Sequence, residues 1–346
     1  MKKGVLLSRD IAVDLGTSSI LVGVRGRGVV LREPSVAAVD RHTGKVLRAG
    51  EAARQMLGRT PENLLAVHPL RDGVISDYTS TQSMLQMFLR SAFSLRVRKP
   101  NLLVCIPSGI TEVEERAVVD AGLQAGARRV YLLEEPIAAA MGAGIDVSRP
   151  EGHMVVDIGG GTTDIAVVSL NGVVAASCLR IAGDRFDAAL IRYIRQRYQI
   201  LIGSRTAEEA KKAIGQVAGE DACGSVTLRG RCLETGLPKE LTLTSKDTTE
   251  AFRDTAEMIV EAVREVLERT PPELAADIAA EGILLTGGGS LLRGMDELVS
   301  QRTGMPTVLA EDPLTAVALG ACQALPRLSR RRDGVRSFAR RQQMWG

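Results

Sequence analysis

Short apolar runs alternate with amphipathic stretches along the chain, and glycine or proline marks most of the boundaries. The run NLLVCI at 101–106 predicts a buried strand, because it is short and almost continuously apolar. Thr111 and Glu114 then predict a capping box that opens a helix. Apolar positions spaced by three and four residues predict another helix over 253–269, which ends before Pro271. This alternation of strands and helices is typical of an α/β fold.

One pattern occurs twice, as IAVDLGTSSILVGV at 11–24 and as VVDIGGGTTDIAVVSL at 155–170. In each copy an apolar strand leads to an aspartate, a Gly/Ser/Thr turn follows, and a second apolar strand begins, which predicts a hairpin. A turn of this composition exposes successive backbone N–H groups and so forms an anion site. The repetition predicts one triphosphate clamped between two related halves of the protein.

Asp14 and Asp157, which lead the two turns, are the predicted magnesium carboxylates. Magnesium keeps several waters and takes few direct protein ligands, so each carboxylate can act directly or through water. The structural alternative for both residues is turn stabilisation at a strand end, a common role of aspartate. The predicted phosphate donors are the backbone amides and hydroxyls of Gly16, Thr17, Ser18, Ser19, Gly159, Gly160, Gly161, Thr162 and Thr163.

A third glycine-rich segment, ILLTGGGSLLRGMDELV at 283–299, predicts a strand, a triple-glycine turn and a helix. Glycine lacks a Cβ, so its backbone can approach a flat base or a sugar closely. Hairpins and helix caps also use glycine, so one such turn is weak evidence alone. Three such turns in one chain, two of them repeats, favour nucleotide binding.

The composition, with 45% hydrophobic and 25% charged residues, is that of an ordinary globular protein. The length of 346 residues is enough for two domains. The formal net charge of +3 is too small to favour nucleic acid as a partner. No apolar run approaches the roughly 20 residues that span a bilayer, and the VLL triplet near the start is too short for a signal peptide. The scattered cysteines and histidines predict reduced thiols and no His/Cys metal site.

Many segments of the chain resemble the MreB/Mbl family of bacterial actin homologues. They include DLGTSS, EEPIAAAMGAG, VVDIGGGTTDIAVV, RIAGDRFD, LLTGGGSLLRG and AEDPLTAVALG, and they follow the family's order from about residue 11 to about residue 325. The resemblance implies an α/β, actin-like ATPase fold, shared with Hsp70 and sugar kinases, in which two lobes of two subdomains each flank a nucleotide cleft. It implies these boundaries: 1–144 for lobe I with a small subdomain at about 33–75, 145–312 for lobe II with a small subdomain at about 181–244, and a helix at 313–325 that returns to lobe I.

The same resemblance implies that the protein binds ATP, or GTP in its place, together with Mg²⁺. It also implies slow hydrolysis of the nucleotide, coupled to polymerisation. It puts Glu135, which precedes Pro136 at a helix start, where the family orients the attacking water. The alternative is that Glu135 only caps this helix. Asp164, after the second turn, is a candidate for the same water network, and the alternative is a cross-strand surface residue.

Contacts to adenosine also follow from the resemblance. Glu208 and Lys211 are three residues apart on one predicted helix face and are assigned to the ribose and adenine edges. A solvated helix face with a weak ion pair is the alternative for that pair. The remaining nucleotide contacts implied by the family are Gly183, Glu209, Gly287, Gly288, Gly289 and Ser290. Where the family usually has Ala-Asn-Thr, this chain has Ser18, Ser19 and Ile20, so serine hydroxyls replace an asparagine amide.

In MreB-like relatives, ATP favours head-to-tail stacking into protofilaments, which pair antiparallel and lie on the inner face of the cell membrane. The resemblance therefore implies a cytoplasmic, peripheral membrane protein that determines rod shape by organising peptidoglycan synthesis with membrane-spanning shape proteins. A principal MreB and a paralogue such as Mbl both fit the sequence. A small-molecule kinase and a chaperone-type ATPase are the alternatives from other classes; the first needs a further polar cluster and the second a peptide-binding domain.

Two basic segments fall outside the nucleotide motifs. At about 91–99, Phe93, Leu95 and Val97 alternate with basic residues, which predicts shallow insertion into an anionic leaflet, at the place where relatives carry a membrane loop. An ordinary strand edge is the alternative. The arginine-rich tail at 326–346 is typical of a disordered segment, and a membrane-surface or partner-binding segment is the alternative.

Overall fold

The computed structural model describes residues 10–58, 60–92, 99–219 and 224–326, together with the backbone of 336–338. Contacts between the described residues divide the chain into two compact units. The first unit takes in Met1–Arg149, Leu170–Gly172 and Thr315–Gly346, and the second takes in Pro150–Ser169 and Val173–Leu314. The second unit is therefore inserted in the chain of the first.

The first unit is built around a mixed sheet. Its elements before residue 150 are β1 (Asp10–Leu15), β2 (Ser19–Val24), β3 (Gly28–Pro34), β4 (Ala37–Asp40), β5 (Val46–Ala49), α1 (Glu51–Arg54), β6 (Leu64–Val67), β7 (Leu70–Arg71), β8 (Val74–Ile75), α2 (Tyr78–Ala92), β9 (Asn101–Ile106), α3 (Glu112–Gln124), β10 (Arg129–Glu134) and α4 (Glu135–Gly142). The order β10-β9-β1-β2-β3 places β1 between a parallel neighbour, β9, and an antiparallel one, β2. Strands β5-β4-β6 and β7-β8 form smaller sheets.

The core of this unit lies between the mixed sheet and helices α2 and α3, which bury Met84, Phe88 and Val118 against it. The predicted strand at 101–106 is confirmed as β9. The predicted capping box is also confirmed, because the Thr111 N–H donates to the Glu114 carboxylate at 2.8 Å and the Glu114 N–H donates to Thr111 Oγ1 at 3.3 Å.

The second unit also has a mixed sheet, and its helices pack on it. Its elements are β11 (His153–Ile158), β12 (Thr163–Ser169), β13 (Gly172–Leu179), α5 (Gly183–Tyr198), β14 (Ile200–Leu201), α6 (Ser204–Ile214), β15 (Ser225–Cys232), β16 (Pro238–Thr244), α7 (Ser245–Glu268), α8 (Pro272–Glu281), β17 (Ile283–Thr286), a 3₁₀ turn (Gly288–Leu291), α9 (Met295–Thr303) and β18 (Thr307–Leu309). The main sheet has the order β13-β12-β11-β17-β18, and β14-β15-β16 form a smaller one.

Helices α5 and α7 both contribute apolar side chains to the core of this unit. Phe186 of α5 and Phe252 of α7 are fully buried and meet edge to face, with ring centroids 5.1 Å apart. The helix predicted at 253–269 begins earlier, at Ser245, because Asp247 accepts hydrogen bonds from the Thr244 N–H and hydroxyl and so anchors the first turn.

Two further elements of the first unit follow the second unit in the chain, α10 (Ala316–Ala324) and β19 (Arg336–Phe338). Helix α10 crosses α4 so closely that the backbones of the two helices are in contact. A Cβ added at Gly320 would overlap the carbonyl of Ala138, and a Cβ added at Gly142 would overlap the carbonyl of Ala316. Only glycine at both positions lets the two helices approach this closely.

Outside the core, the structure changes two expectations about the basic segments. Helix α2 continues to Ala92, where the sequence predicted a loop from residue 91, and the predicted membrane residues Phe93, Leu95 and Val97 lie outside the described residues. In the predicted disordered tail, β19 pairs antiparallel with β10. Among the described residues, no helix combines the length and the apolar character needed to cross a bilayer.

Candidate functional site

The two copies of the repeated pattern are confirmed as antiparallel hairpins, β1–β2 and β11–β12. Asp14 and Asp157 occupy the same place in each, one residue before the end of the first strand. Asp14 lies opposite Leu21, whereas Asp157 lies opposite Asp164. The repeat in sequence is thus a repeat in structure, with one copy in each unit.

The turn of the second hairpin is closed on itself. The Gly159 N–H donates to the carbonyl of Thr162 at 2.9 Å. Within the described part of the chain, no backbone carbonyl accepts a hydrogen bond from the N–H groups of Gly160 and Gly161. A turn with unengaged successive amides is suited to bind an anion.

The carbonyls of the same turn face the start of helix α5. The Gly183 N–H donates to the Gly159 carbonyl at 3.1 Å, and the Asp184 N–H donates to the Gly160 carbonyl at 2.8 Å. A Cβ on Gly183 would press on both turn residues, which explains why glycine suits this position. The hydroxyl of Thr163 donates to the Ile181 carbonyl at 2.7 Å, so this predicted phosphate donor instead ties the turn to the segment before α5.

Asp157 is buried beside this turn, with 7% of its surface exposed. The hydroxyl of Thr286 donates to its Oδ1 at 2.7 Å. Burial raises the pKa of the Asp157 carboxyl to about 6, against the opposing effect of the Thr286 hydrogen bond. No basic side chain of the described residues pairs with it. Among the described residues, no group of three or more His, Cys, Asp or Glu side chains is placed to hold a metal ion. The fit of a divalent ion therefore rests on Asp157 alone, a buried carboxylate without a protein cation, and it suits Mg²⁺, which takes few direct protein ligands.

The triple glycine packs against the strand that carries Asp157. Gly287 adopts a φ of +79°, and a Cβ there would collide with the Ile158 carbonyl and with Asp157. The hydroxyl of Ser290 donates to the Gly287 carbonyl at 2.6 Å and holds the turn in shape. The structure differs from the sequence prediction in one respect: a 3₁₀ turn begins at the second of the three glycines, and α9 begins only at Met295.

Helix α6 places its predicted adenosine residues differently from expectation. Lys211 is not paired with Glu208; its Nζ lies 2.8 Å from Asp187 Oδ1 and donates to the Gly183 carbonyl at 2.7 Å. Both partners of this ion pair are mostly buried, with 12% and 13% of their side chains exposed. The alternative of a solvated face with a weak pair is therefore wrong for Lys211. Glu208 pairs with Lys212 and Glu209 with Arg205 on the outer surface of the helix.

Asp187 is a residue that the sequence reasoning missed. It lies one turn into α5, and burial raises its pKa to about 6 although the Lys211 ammonium opposes that shift. The family resemblance of RIAGDRFD implied a nucleotide contact at Gly183 and no role for Asp187. An acidic residue on the otherwise apolar, buried face of this helix is the signal that marks it.

The structure contradicts the alternative for Asp164, one of the two predicted water-network residues. Asp164 is 1% exposed, so it is not a surface residue of the sheet. Glu135 is 9% exposed and is the first residue of α4, while Glu134 occupies the cap position without a side-chain cap bond. Neither observation assigns a catalytic role, but both residues are buried carboxylates of the kind that needs a polar partner.

The turn of the first hairpin, β1–β2, is held by hydrogen bonds to two neighbouring segments of its own unit. Thr17 is buried, and its Oγ1 accepts a hydrogen bond from the Gly73 N–H at 2.9 Å. The Ser18 carbonyl accepts from the Ser35 N–H at 3.0 Å, whereas the Ser18 side chain is exposed. Asp14 is half-buried. The turn is therefore anchored to the β7–β8 hairpin and to the segment that leads into β4.

The sheet orders and the repeated hairpins define an actin-like fold, as the sequence predicted. The crystal structure of MreB5 of Spiroplasma citri bound to ADP matches with a TM-score of 0.88, covering 93% of this chain and 97% of that chain at 37% identity. The cell shape-determining protein Mbl of Bacillus subtilis (strain 168) is 47% identical over 319 residues, 91% of this chain and 95% of the relative. The cell shape-determining protein MreB of Escherichia coli (strain K12) is 49% identical over 326 residues, 92% of this chain and 94% of the relative. The sequence model of the MreB/Mbl protein family matches residues 8–332, and the chain belongs to this family.

Proposed function

We propose that this protein binds Mg²⁺-ATP and assembles into filaments on the inner face of the cell membrane, where they organise side-wall peptidoglycan synthesis and so determine rod shape. The observation that carries the proposal is the second hairpin, whose turn offers free backbone amides beside a buried carboxylate without a protein cation. Family membership supplies the shape-determining role, and a relative bound to ADP supports an adenine nucleotide as the ligand.

In this proposal each residue has a defined task. The amides of Gly160 and Gly161 bind phosphate oxygens, and Asp157 holds Mg²⁺ directly or through water. When bound, Mg²⁺ would neutralise part of the negative charge of the phosphates. By analogy with the second turn, the donors of the first turn (Gly16, Thr17, Ser18, Ser19) are proposed to bind phosphate and Asp14 to bind Mg²⁺, an assignment that rests on the repeat. Gly159, Thr162, Gly287, Gly288, Gly289 and Ser290 shape the site.

Hydrolysis is proposed to be slow and to depend on Glu135. A carboxylate at a helix N-terminus is favoured in its ionised form and accepts a hydrogen bond from the attacking water. Asp164, opposite Asp157, is proposed to complete the water network. The division of each unit into two subdomains stays a prediction, as do GTP as an alternative nucleotide, antiparallel pairing of protofilaments and the choice between MreB and a paralogue.

Replacing Glu135 with alanine is expected to lower the rate of phosphate release by about 100-fold, within the range of a lost general base, while ATP affinity changes little. The reason is that Glu135 is assigned to the water and not to the nucleotide. Phosphate release and equilibrium ATP binding, measured on the same preparations, test this. The matched control is Glu257→Ala, a partly exposed glutamate on α7. Equal turnover in the Glu135 variant and the parent protein would contradict the assignment.

Assembly and membrane attachment are tested together on anionic liposomes. We expect electron microscopy to show paired filaments on the bilayer with Mg²⁺-ATP and dispersed particles without it. A variant with Phe93→Ser and Leu95→Ser is expected to lose co-flotation with the liposomes but to keep ATP binding, because apolar insertion provides the anchorage.

The other outcomes of this experiment are equally informative. Co-flotation of the double serine variant at the level of the parent protein would contradict the membrane assignment of the loop. Dispersed particles under both conditions, from protein that binds ATP, would contradict filament formation. Stoichiometric phosphate transfer to a small molecule would then identify a kinase, and peptide-stimulated turnover would identify a chaperone-type ATPase.

A further inference from the structure

The buried ion pair between helices α5 and α6 lies behind the phosphate turn of the second unit. Lys211 Nζ contacts Asp187 Oδ1 and the Gly183 carbonyl, at 2.8 Å and 2.7 Å. Its ammonium therefore bridges a carboxylate on the second turn of α5 and the backbone at the start of the same helix. The ammonium thus makes one hydrogen bond and one ion pair within the protein.

The start of α5 is in turn bonded to the phosphate turn. Gly183 donates its N–H to Gly159, and the next residue donates to Gly160, while the hydroxyl of Thr163 holds the Ile181 carbonyl. A continuous set of hydrogen bonds thus leads from Lys211 through Gly183 to Gly159, and the bond from Asp184 extends it to Gly160, the first of the two glycines with unengaged amides. The backbone of Gly183 is held on both sides, by the turn at its N–H and by Lys211 at its carbonyl.

Stability alone does not account for this pair. Removing two charges from water costs several kcal/mol per ion, and well-packed apolar residues often replace such a pair without loss of stability. Burial raises the Asp187 pKa to about 6 even beside an ammonium, which shows that the local environment disfavours the charge. The contacts that the pair makes to the start of α5 offer a different reason for its presence.

We propose that Lys211 and Asp187 are positioning residues that hold the Gly159–Gly161 turn in its phosphate-binding shape through Gly183, and that Lys211 does not grip adenosine. This inference rests on the proposed nucleotide function and reassigns one of its residues. Lys211 acts on the phosphate end of the nucleotide through Gly183 and without touching the phosphates. Its removal affects the binding of phosphates and leaves the binding of the nucleoside unchanged.

The test is a comparison of affinities for adenosine, AMP, ADP and ATP, measured by competition against one fluorescent ATP analogue. For Lys211→Met and Asp187→Asn we expect adenosine affinity close to that of the parent protein. ATP affinity is expected to fall by about 10- to 100-fold, the range found when groups that support a binding residue are removed. The loss should grow with the number of phosphates.

A double variant, Lys211→Met with Asp187→Leu, separates positioning from folding. It replaces the ion pair with apolar side chains of similar size, so it is expected to unfold no earlier than the parent protein and still to lose ATP affinity. Arg264→Met is the matched control, because it removes one member of an exposed ion pair on α7 of the same unit. This control should bind all four ligands like the parent protein.

Two results would overturn the inference. An equal loss of affinity for adenosine and ATP in Lys211→Met would show direct contact with the nucleoside. Full ATP affinity in the folded double variant would show that the pair has only a packing role. A failure of the proposed function is distinguishable from both, since in that case the parent protein itself would not bind ATP.

Discussion

Replacing Gly320 with alanine is expected to destabilise the first unit by about 3 kcal/mol or more. The added methyl group would overlap the Ala138 carbonyl, which belongs to the backbone of α4 and cannot rotate away as a side chain can. Helices α4 and α10 would have to move apart, and the apolar contacts on both sides of the crossing would be lost. The unfolding free energy from urea titration, followed by circular dichroism, measures the effect.

Gln323→Ala is the matched control for this prediction. It also introduces alanine into α10, but on an exposed position of the helix, and we expect a change within about 0.5 kcal/mol. An unfolding curve for Gly320→Ala that coincides with that of the control would show that the helices tolerate a wider spacing. In protein that does fold, the displacement of α4 should also slow phosphate release, because Glu135 begins that helix.

Replacing Asp157 with asparagine is expected to have opposite effects on stability and on function. The Asp157 carboxyl has a pKa of about 6 in the folded protein against 3.8 in the reference state. The folded protein therefore binds the proton of this carboxyl more tightly than the unfolded chain does. This group therefore favours the fold below about pH 4, and that contribution is lost as the pH rises through about 6. At pH 7.5 the neutral variant, without nucleotide, should be more stable by up to about 3 kcal/mol.

The pH dependence of this difference identifies its cause. Between about pH 6 and pH 4 the stability of the parent protein should approach that of the variant, because the buried carboxylate becomes protonated. Asp187 also has a raised pKa but is present in both proteins, so its effect cancels in the comparison. An unchanged advantage of the variant from pH 8 to pH 4 would exclude the charge of Asp157 as the reason.

Function should change in the other direction. In the parent protein, Mg²⁺-ATP is expected to raise the melting temperature, since a ligand that binds only the folded state stabilises it. Asp157→Asn should abolish this shift, because the amide carries no charge to hold the ion. A shift of parental size in the variant would remove Asp157 from the proposed site. Asp254→Asn, an exposed change on α7, is the control for both measurements.

The sequence was most informative where local rules decide the structure. Apolar runs around a glycine turn are sufficient to predict a hairpin, so both repeats and the positions of Asp14 and Asp157 in them could be inferred. The capping box at Thr111 is equally local. Family resemblance then supplied the fold, which the matched structure of MreB5 confirms.

Features that depend on packing between distant segments were not predictable in this way. Lys211 follows Asp187 by more than a helix length of sequence, and only the packing of α6 on α5 brings them together. Asp164 is a charged residue type that normally lies at the surface, yet it is buried. Its burial depends on the side chains that pack over the main sheet of the second unit. Gly142 and Gly320 look like ordinary helix glycines until the crossing of α4 and α10 is seen.

The insertion of the second unit in the chain of the first determines the order of events on the ribosome. Helix α4 is complete when Gly142 has been added, but its partner α10 requires synthesis to continue to Ala324. At roughly 5 to 20 residues per second, this interval lasts on the order of 10 to 35 s. Throughout it the nascent β2 lacks the Cys322 side chain that fills the space over Gly23, while every strand of the second unit is made within this interval, the last one ending at Leu309. The unit whose translation starts first is therefore the one that completes its core last.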